Sequence, residues 1–136
     1  MANQYYQEAI VCGDAGELDD AIEGYTKAIE EFPLFYEAID NRAFCYMEKG
    51  DYESALLGFE ESLAINPDGI HAYFSRGECL LKLRRYDEAE EVFVSGKGKF
   101  PEHRGEFGKF LLKTKLSRTA DSRLTEIQGR PWWKLW

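Results

Sequence analysis

The stretch that decides the fold is GDYESALLGFEESLAINP, residues 50–67, because it occurs twice more in altered form at a constant spacing. A shift of 34 residues aligns it with GELDDAIEGYTKAIEEFP at 16–33 and with RRYDEAEEVFVSGKGKFP at 84–101. Periods of about 20 to 50 residues are typical of repeat proteins, in which each unit is one supersecondary motif. The sequence therefore predicts stacked copies of one motif.

Each unit keeps small, aromatic and proline residues at fixed places. An alanine is followed by an aromatic residue, then by a small residue on the same helical face, and finally by a proline. Proline disfavours helix at the residue before it, so it marks the end of the unit. The equivalent residues are Ala21, Ala55 and Ala89, then Tyr25, Phe59 and Phe93, then Ala28, Ser62 and Gly96, and last Pro33, Pro67 and Pro101.

The middle unit shows that each copy consists of two helices. Ile39, Ala43 and Tyr46 recur at three-to-four spacing, which predicts a first helix over about 36–49. Gly50 stands where the end of a helix favours a left-handed residue, and a second helix over about 52–65 follows it. A pair of antiparallel helices per unit follows from this pattern.

On these residues the chain resembles the tetratricopeptide repeat (TPR) family. The likeness rests on the 34-residue period, the small–aromatic–small–proline series, and the GDY and RRYDEA turns. It implies an all-α, TPR-type solenoid, a right-handed superhelix with repeats at 2–34, 35–68 and 69–102. Glu8, Cys12 and Arg84 depart from the residues usual at their places, which concerns the detail of individual turns rather than the fold.

The residues after the third repeat predict a cap and a tail. Phe107, Phe110, Leu111 and Thr114 occupy first-helix packing positions, so a capping helix is expected over 103–120, as the open end of a solenoid requires. Residues 121–136 then form an aromatic, basic tail, in which a short helix is expected over 121–128.

Composition and charge restrict the kinds of partner. Residues 1–101 hold nine basic and 21 acidic residues, a net −12, whereas 102–136 have a net charge of +4. An acidic body argues against nucleic acid and against anionic membranes, because binding to either depends on neutralising negative charge. The first residues do not look like a signal peptide, no apolar run is long enough to span a membrane, and the three cysteines form no metal or disulfide pattern. We therefore expect a cytoplasmic protein that is not an enzyme and needs no cofactor or metal.

The resemblance implies that the first helix of each repeat lines a concave groove. The face of those helices opposite their partners is apolar in its centre and acidic around it, and an exposed apolar surface of this kind is typical of a binding site. The predicted groove residues are Tyr6, Ile10, Glu37, Asp40, Asn41, Phe44, Met47, His71, Phe74, Glu78 and Leu81.

The tail is a candidate ligand for this groove, since it contains every tryptophan of the chain together with basic residues. The hypothesis is that it binds the groove as an extended peptide and so causes self-association or autoinhibition. Binding to a second copy, which would give a homo-oligomer, is favoured over binding in cis. Alternatively, the tail packs on the capping helix and the groove holds an apolar segment of an outside client, as in a chaperone or adaptor. The tail residues are Arg130, Pro131, Trp132, Trp133, Lys134, Leu135 and Trp136.

One class of TPR protein grips the C-terminal carboxylate of a heat-shock protein, and its binding residues can be compared with this chain. The class needs Lys and Asn on the first groove helix, where Tyr6 and Ile10 stand. Asn41 matches the second helix, but His71 and Ser75 replace the Lys and Arg of the third. Because two basic residues would capture the carboxylate, the sequence predicts that heat-shock proteins are not partners of this type.

Overall fold

A computed structural model describes residues 2–129, with side chains from Gln4 onward. Helix follows helix along this part of the chain, without a strand. Every helix packs against the next one in sequence, so the described residues form a row of helices. The helices are α1 (Ala2–Asp14), α2 (Leu18–Glu31), α3 (Tyr36–Glu48), α4 (Tyr52–Ile65), α5 (Ile70–Lys82), α6 (Tyr86–Lys99) and α7 (Arg104–Gly129), and a 3₁₀ turn at Pro101–His103 precedes α7.

The recurring small and aromatic positions form the core, as the pattern predicts. Ala55 and Phe59 are fully buried, and so are their equivalents in the third repeat, Ala89 and Phe93. The all-α solenoid predicted from the sequence is thus confirmed.

The turns inside the repeats share one backbone conformation. Gly16 and Gly50 have φ values of +79° and +80°, and Arg84 adopts the same left-handed region with φ +59°. The residue after each of these donates its N–H to a carbonyl five residues earlier, for example Arg85 to Leu80 at 2.9 Å. The departure at Arg84 therefore leaves the turn intact, although the left-handed region costs a residue with a Cβ about 1–2 kcal/mol.

The cap differs from the expected boundaries, because α7 continues without a break to Gly129. Asp121 was expected to begin a separate helix. Instead, it lies inside α7 and accepts a hydrogen bond from the hydroxyl of Tyr86 on α6. Three residues farther back, Arg118 pairs with Asp87 at 2.8 Å. Residues 104–128 contain no proline, and these contacts with α6 support the helix beyond residue 120.

Candidate peptide-binding groove

The odd-numbered helices supply the predicted groove residues, and the structure brings several of these residues together. Asn41 on α3 donates a hydrogen bond to the Tyr6 hydroxyl on α1 at 3.1 Å. Asp40 on α3 lies near His71 on α5. Glu37 and His71 are exposed, Leu81 is only 8% exposed, and the partly buried members are Tyr6, Ile10, Asp40, Asn41, Phe44, Met47, Phe74 and Glu78.

Two half-buried aromatic residues give this face a fixed apolar floor. Phe44 contacts the buried Phe59 edge to face, with ring centroids 4.9 Å apart. Phe74 stacks on Phe107 of α7 at 4.0 Å with the rings nearly parallel. Because each ring is fixed by a buried partner, the half that solvent reaches is already ordered, and a ligand that covers it loses little entropy in the protein.

Asp40 is an unusual polar group in this floor. Its Oδ1 atom is buried and has no hydrogen-bond partner among the described residues. Burial raises the pKa of the Asp40 carboxyl above its ordinary value; the Ser62 hydroxyl opposes this shift and nearby Glu37 adds to it. A carboxyl group with a perturbed pKa on the predicted binding face is a candidate for ligand recognition.

Replacing Asp40 with asparagine is expected to stabilise the protein at neutral pH. A raised pKa in the folded state means that protonated Asp40 stabilises the folded protein. This stabilisation is fully present below the ordinary pKa of aspartate and is lost as pH rises through the folded-state pKa. The gain in melting temperature for D40N should therefore be largest near pH 7 and shrink as pH falls towards 4 (about the ordinary aspartate value). Thermal unfolding of both proteins across this range tests the point, and a pH-independent difference would contradict it.

Two cavities lie on this part of the molecule. The first, of about 270 Å³, lies between α3 and the end of α1. Its lining includes the predicted residues Ile10, Asn41 and Phe44. Of the remaining lining residues, Gly13, Asp14 and Glu48 belong to the helix faces from which the groove was predicted, whereas Leu18, Tyr25 and Cys45 do not.

The second cavity, of about 290 Å³, lies between α7 and the turn that joins α5 to α6. Of its lining, Leu81 is a predicted groove residue, and Lys82 belongs to the same predicted helix face. The sequence-based site used only the faces of first helices, so it missed turn residues and the capping helix. The repeat period itself could have found them, since both cavities use equivalent turns. The other lining residues are Arg84, Tyr86, Lys113, Ser117, Ala120 and Asp121.

The cysteines and acidic groups form no metal-binding cluster within residues 4–129. No group of three His, Cys, Asp or Glu side chains there could hold a metal ion. Burial raises the pKa of the Cys79 thiol to about 12 and also raises that of Cys45. Both are therefore neutral, poorly nucleophilic packing groups at physiological pH. That the chain is not an enzyme stays a prediction.

The sequence relationships agree with this architecture. Two sequence profiles described as tetratricopeptide repeat match residues 6–70 and 47–106, and together they cover most of the chain. The chain belongs to the tetratricopeptide repeat family. Human "WD and tetratricopeptide repeats protein 1" is 34% identical over 102 residues, which are 73% of this chain and 15% of that protein. The TPR chain described here thus spans a small part of the length of this relative.

Solved TPR domains share the fold and correct one prediction. The first TPR domain of Spaghetti (RPAP3) bound to the HSP90 peptide SRMEEVD has a TM-score of 0.77 at 23% identity, and the match covers 85% of this chain and 91% of that one. The TPR2B domain of yeast Sti1 in its Hsp70 complex has a TM-score of 0.76 at 16% identity, with 86% and 98% covered. The prediction that heat-shock proteins are excluded as partners was wrong, because domains of this same fold bind their peptides. That prediction considered only the carboxylate-binding positions of one binding mode.

Other sequence-based expectations concern partners and location. Within residues 2–129, no helix is both long and apolar enough to cross a membrane. The cytoplasmic location and the homo-oligomer stay predictions. The tail ligand, from Arg130 to Trp136, lies outside the described residues.

Proposed function

We propose that this TPR chain is a binding module that holds an extended, partly apolar segment of an outside protein in its groove, as a chaperone or adaptor does. The observation that carries the proposal is the row of half-buried side chains on α1, α3 and α5, above all Phe44 and Phe74, whose rings are fixed from below.

The C-terminal segment of a heat-shock protein is the first ligand to test. Support comes from the structural neighbours, one of which holds the HSP90 peptide SRMEEVD. Tyr6, Ile10, His71 and Ser75 still stand where basic or amide groups bind the carboxylate in that class. If such a peptide binds here, its acidic end contacts other cations.

Titration of a fluorescent SRMEEVD peptide against the chain, followed by polarisation, tests the proposal. Phe44→Glu places a charge on the apolar floor and is expected to weaken binding by at least about tenfold, or about 1.4 kcal/mol. The matched control is Leu57→Glu, because Leu57 is 67% exposed on α4. Binding that is equally strong in both variants would contradict a ligand position on this floor.

The chain's own tail enters this experiment as a competitor. A chain that ends at residue 129 and the full chain are titrated with the same peptide. A tail that occupies the groove lowers the apparent affinity of the full chain, in proportion to the fraction of molecules that are blocked. Equal affinities would show that residues 130–136 leave the groove open for an outside ligand.

A further inference from the structure

The two cavities lie beside equivalent turns, two repeat periods apart, and share four equivalent lining positions. The first is formed by the turn after α1 together with α3, and the second by the turn after α5 together with α7. Adding 68 to Gly13, Asp14 and Leu18 gives Leu81, Lys82 and Tyr86, and the same shift turns Cys45 into Lys113. Repeat symmetry therefore places both cavities along the same side of the solenoid, one near each end.

The two cavities carry opposite charges. The first cavity contains Asp14 and Glu48 and no basic side chain. Neither carboxylate forms an ion pair with any side chain of residues 4–129. The two residues are also the last of α1 and α3, where the helix dipole adds negative potential.

The second cavity is basic, with Lys82, Arg84 and Lys113 around a single carboxylate, that of Asp121. Asp121 lies 3.6 Å from the Arg84 guanidinium, so it neutralises one of the three cations in part. Lys82 and Lys113 have no ionic partner among the described side chains. An anionic group entering this cavity would therefore meet an excess of positive charge.

The backbone at Arg84 supports a role for this cation. The two equivalent turn residues are glycines, which adopt φ values near +80° without strain, whereas Arg84 takes φ +59° with a Cβ. Its side chain is 75% exposed, so it contributes little packing in return. Strain of this kind is found where a side chain is needed for function, and here the side chain lines the basic cavity.

We infer that the groove selects a bipolar peptide, with a Lys or Arg side chain in the cavity of Asp14 and Glu48 and a carboxylate in the cavity of Lys82, Arg84 and Lys113. The inference rests on the proposed function and adds to it the charge pattern of the ligand. The ligand's cation gains from two carboxylates and two helix ends. Its anion meets the negative end of α5, whose last residue is Lys82, but the full charges of the lysines outweigh that partial charge. Reversing the peptide places like charges together at both ends, which costs affinity.

The test uses synthetic peptides with blocked termini and one shared apolar core. Two of the peptides are bipolar: one has two lysines at its N-terminal end and two glutamates at its C-terminal end, and the other has the reverse order. The third peptide has lysines at both ends, and the fourth has glutamates at both ends. We expect one of the two bipolar peptides to bind at least about tenfold more tightly than any other, with a preference that weakens in high salt.

Two variants make the assignment specific. The swapped variant, with Asp14→Lys, Glu48→Lys, Lys82→Glu and Lys113→Glu, keeps the net charge and changes exposed residues only. It should prefer the opposite bipolar peptide. Arg84→Gly keeps the turn and should lose part of the preference while the protein becomes more heat-stable. The control exchanges the exposed Glu23–Lys27 pair on α2 and should leave the preference as it is.

The outcomes separate the two ideas. If none of the peptides and no SRMEEVD binds, the proposed function fails, and this inference fails with it. If peptides bind with equal affinity, or if the swapped variant keeps the original preference, the inference alone is overturned and the apolar groove remains. Tighter binding of the peptide with lysines at both ends would also overturn it.

Discussion

Replacing Phe107 with alanine is expected to lower the free energy of unfolding by about 3–5 kcal/mol, the range typical of a fully buried phenylalanine. Phe107 is 0% exposed and is the largest fully buried side chain of α7. Its ring stacks on Phe74 and lies 6.0 Å, centroid to centroid, from Tyr73 and from Phe100. Removing it leaves a cavity between three helices that cannot close without moving α7.

Urea unfolding followed by far-UV circular dichroism measures this loss. Leu112→Ala is the matched control, since Leu112 lies on the same helix but is 59% exposed. It should change stability by less than about 0.5 kcal/mol. Equal effects of the two substitutions would mean that α7 is not held by its buried face.

The same substitution also affects the groove, because Phe74 rests on Phe107. Without this support the Phe74 ring becomes free to move, and α7 no longer fixes Lys113 opposite Lys82 in the basic cavity. We expect F107A to weaken ligand binding even under conditions in which the protein stays folded. Stability and recognition are thus coupled through the capping helix.

The sequence predicts the fold well because the same residue pattern occurs in three repeats. One alanine, one aromatic residue and one proline in a helix are weak signals, but Ala55, Phe59 and Pro67 recur with equivalents on both sides. Each copy has to bury the same face against the next, so periodicity and packing agree. The confirmed helices of the middle repeat begin at the predicted residues, Tyr36 and Tyr52.

The site is less visible in the sequence because it depends on what lies between repeats. Helical periodicity places Phe44 on a surface, but it does not show that Asn41 bonds Tyr6 or that Asp40 lacks a partner. The second cavity forms because α7 packs beside the turn after α5, and these elements belong to different repeats. Arg84 shows this difference most clearly. In the sequence it only replaces the glycine of the other repeats, whereas in the structure it is a cation in a left-handed turn.

Gly77→Ala is expected to destabilise the protein by about 1–3 kcal/mol, although alanine normally stabilises a helix interior. A Cβ at Gly77 on α5 would lie 2.4 Å from the ring of Phe93. Phe93 is fully buried and its other side stacks on Phe110 at 5.3 Å, so the ring has no free space to move into. The cost of this overlap exceeds the propensity gain.

Gly108→Ala makes the same chemical change but is expected to stabilise the protein. Gly108 also lies inside a helix, α7, but nothing lies within 4 Å of a Cβ built there. Alanine should therefore raise stability by about 0.5–1 kcal/mol, the usual helical preference over glycine. Melting temperatures of the two variants and the parent protein decide the matter. If both substitutions stabilised the protein, α5 and α6 would not lie as close together at Gly77 as the structure shows. The tight hairpin of the third repeat of the groove would then also be contradicted.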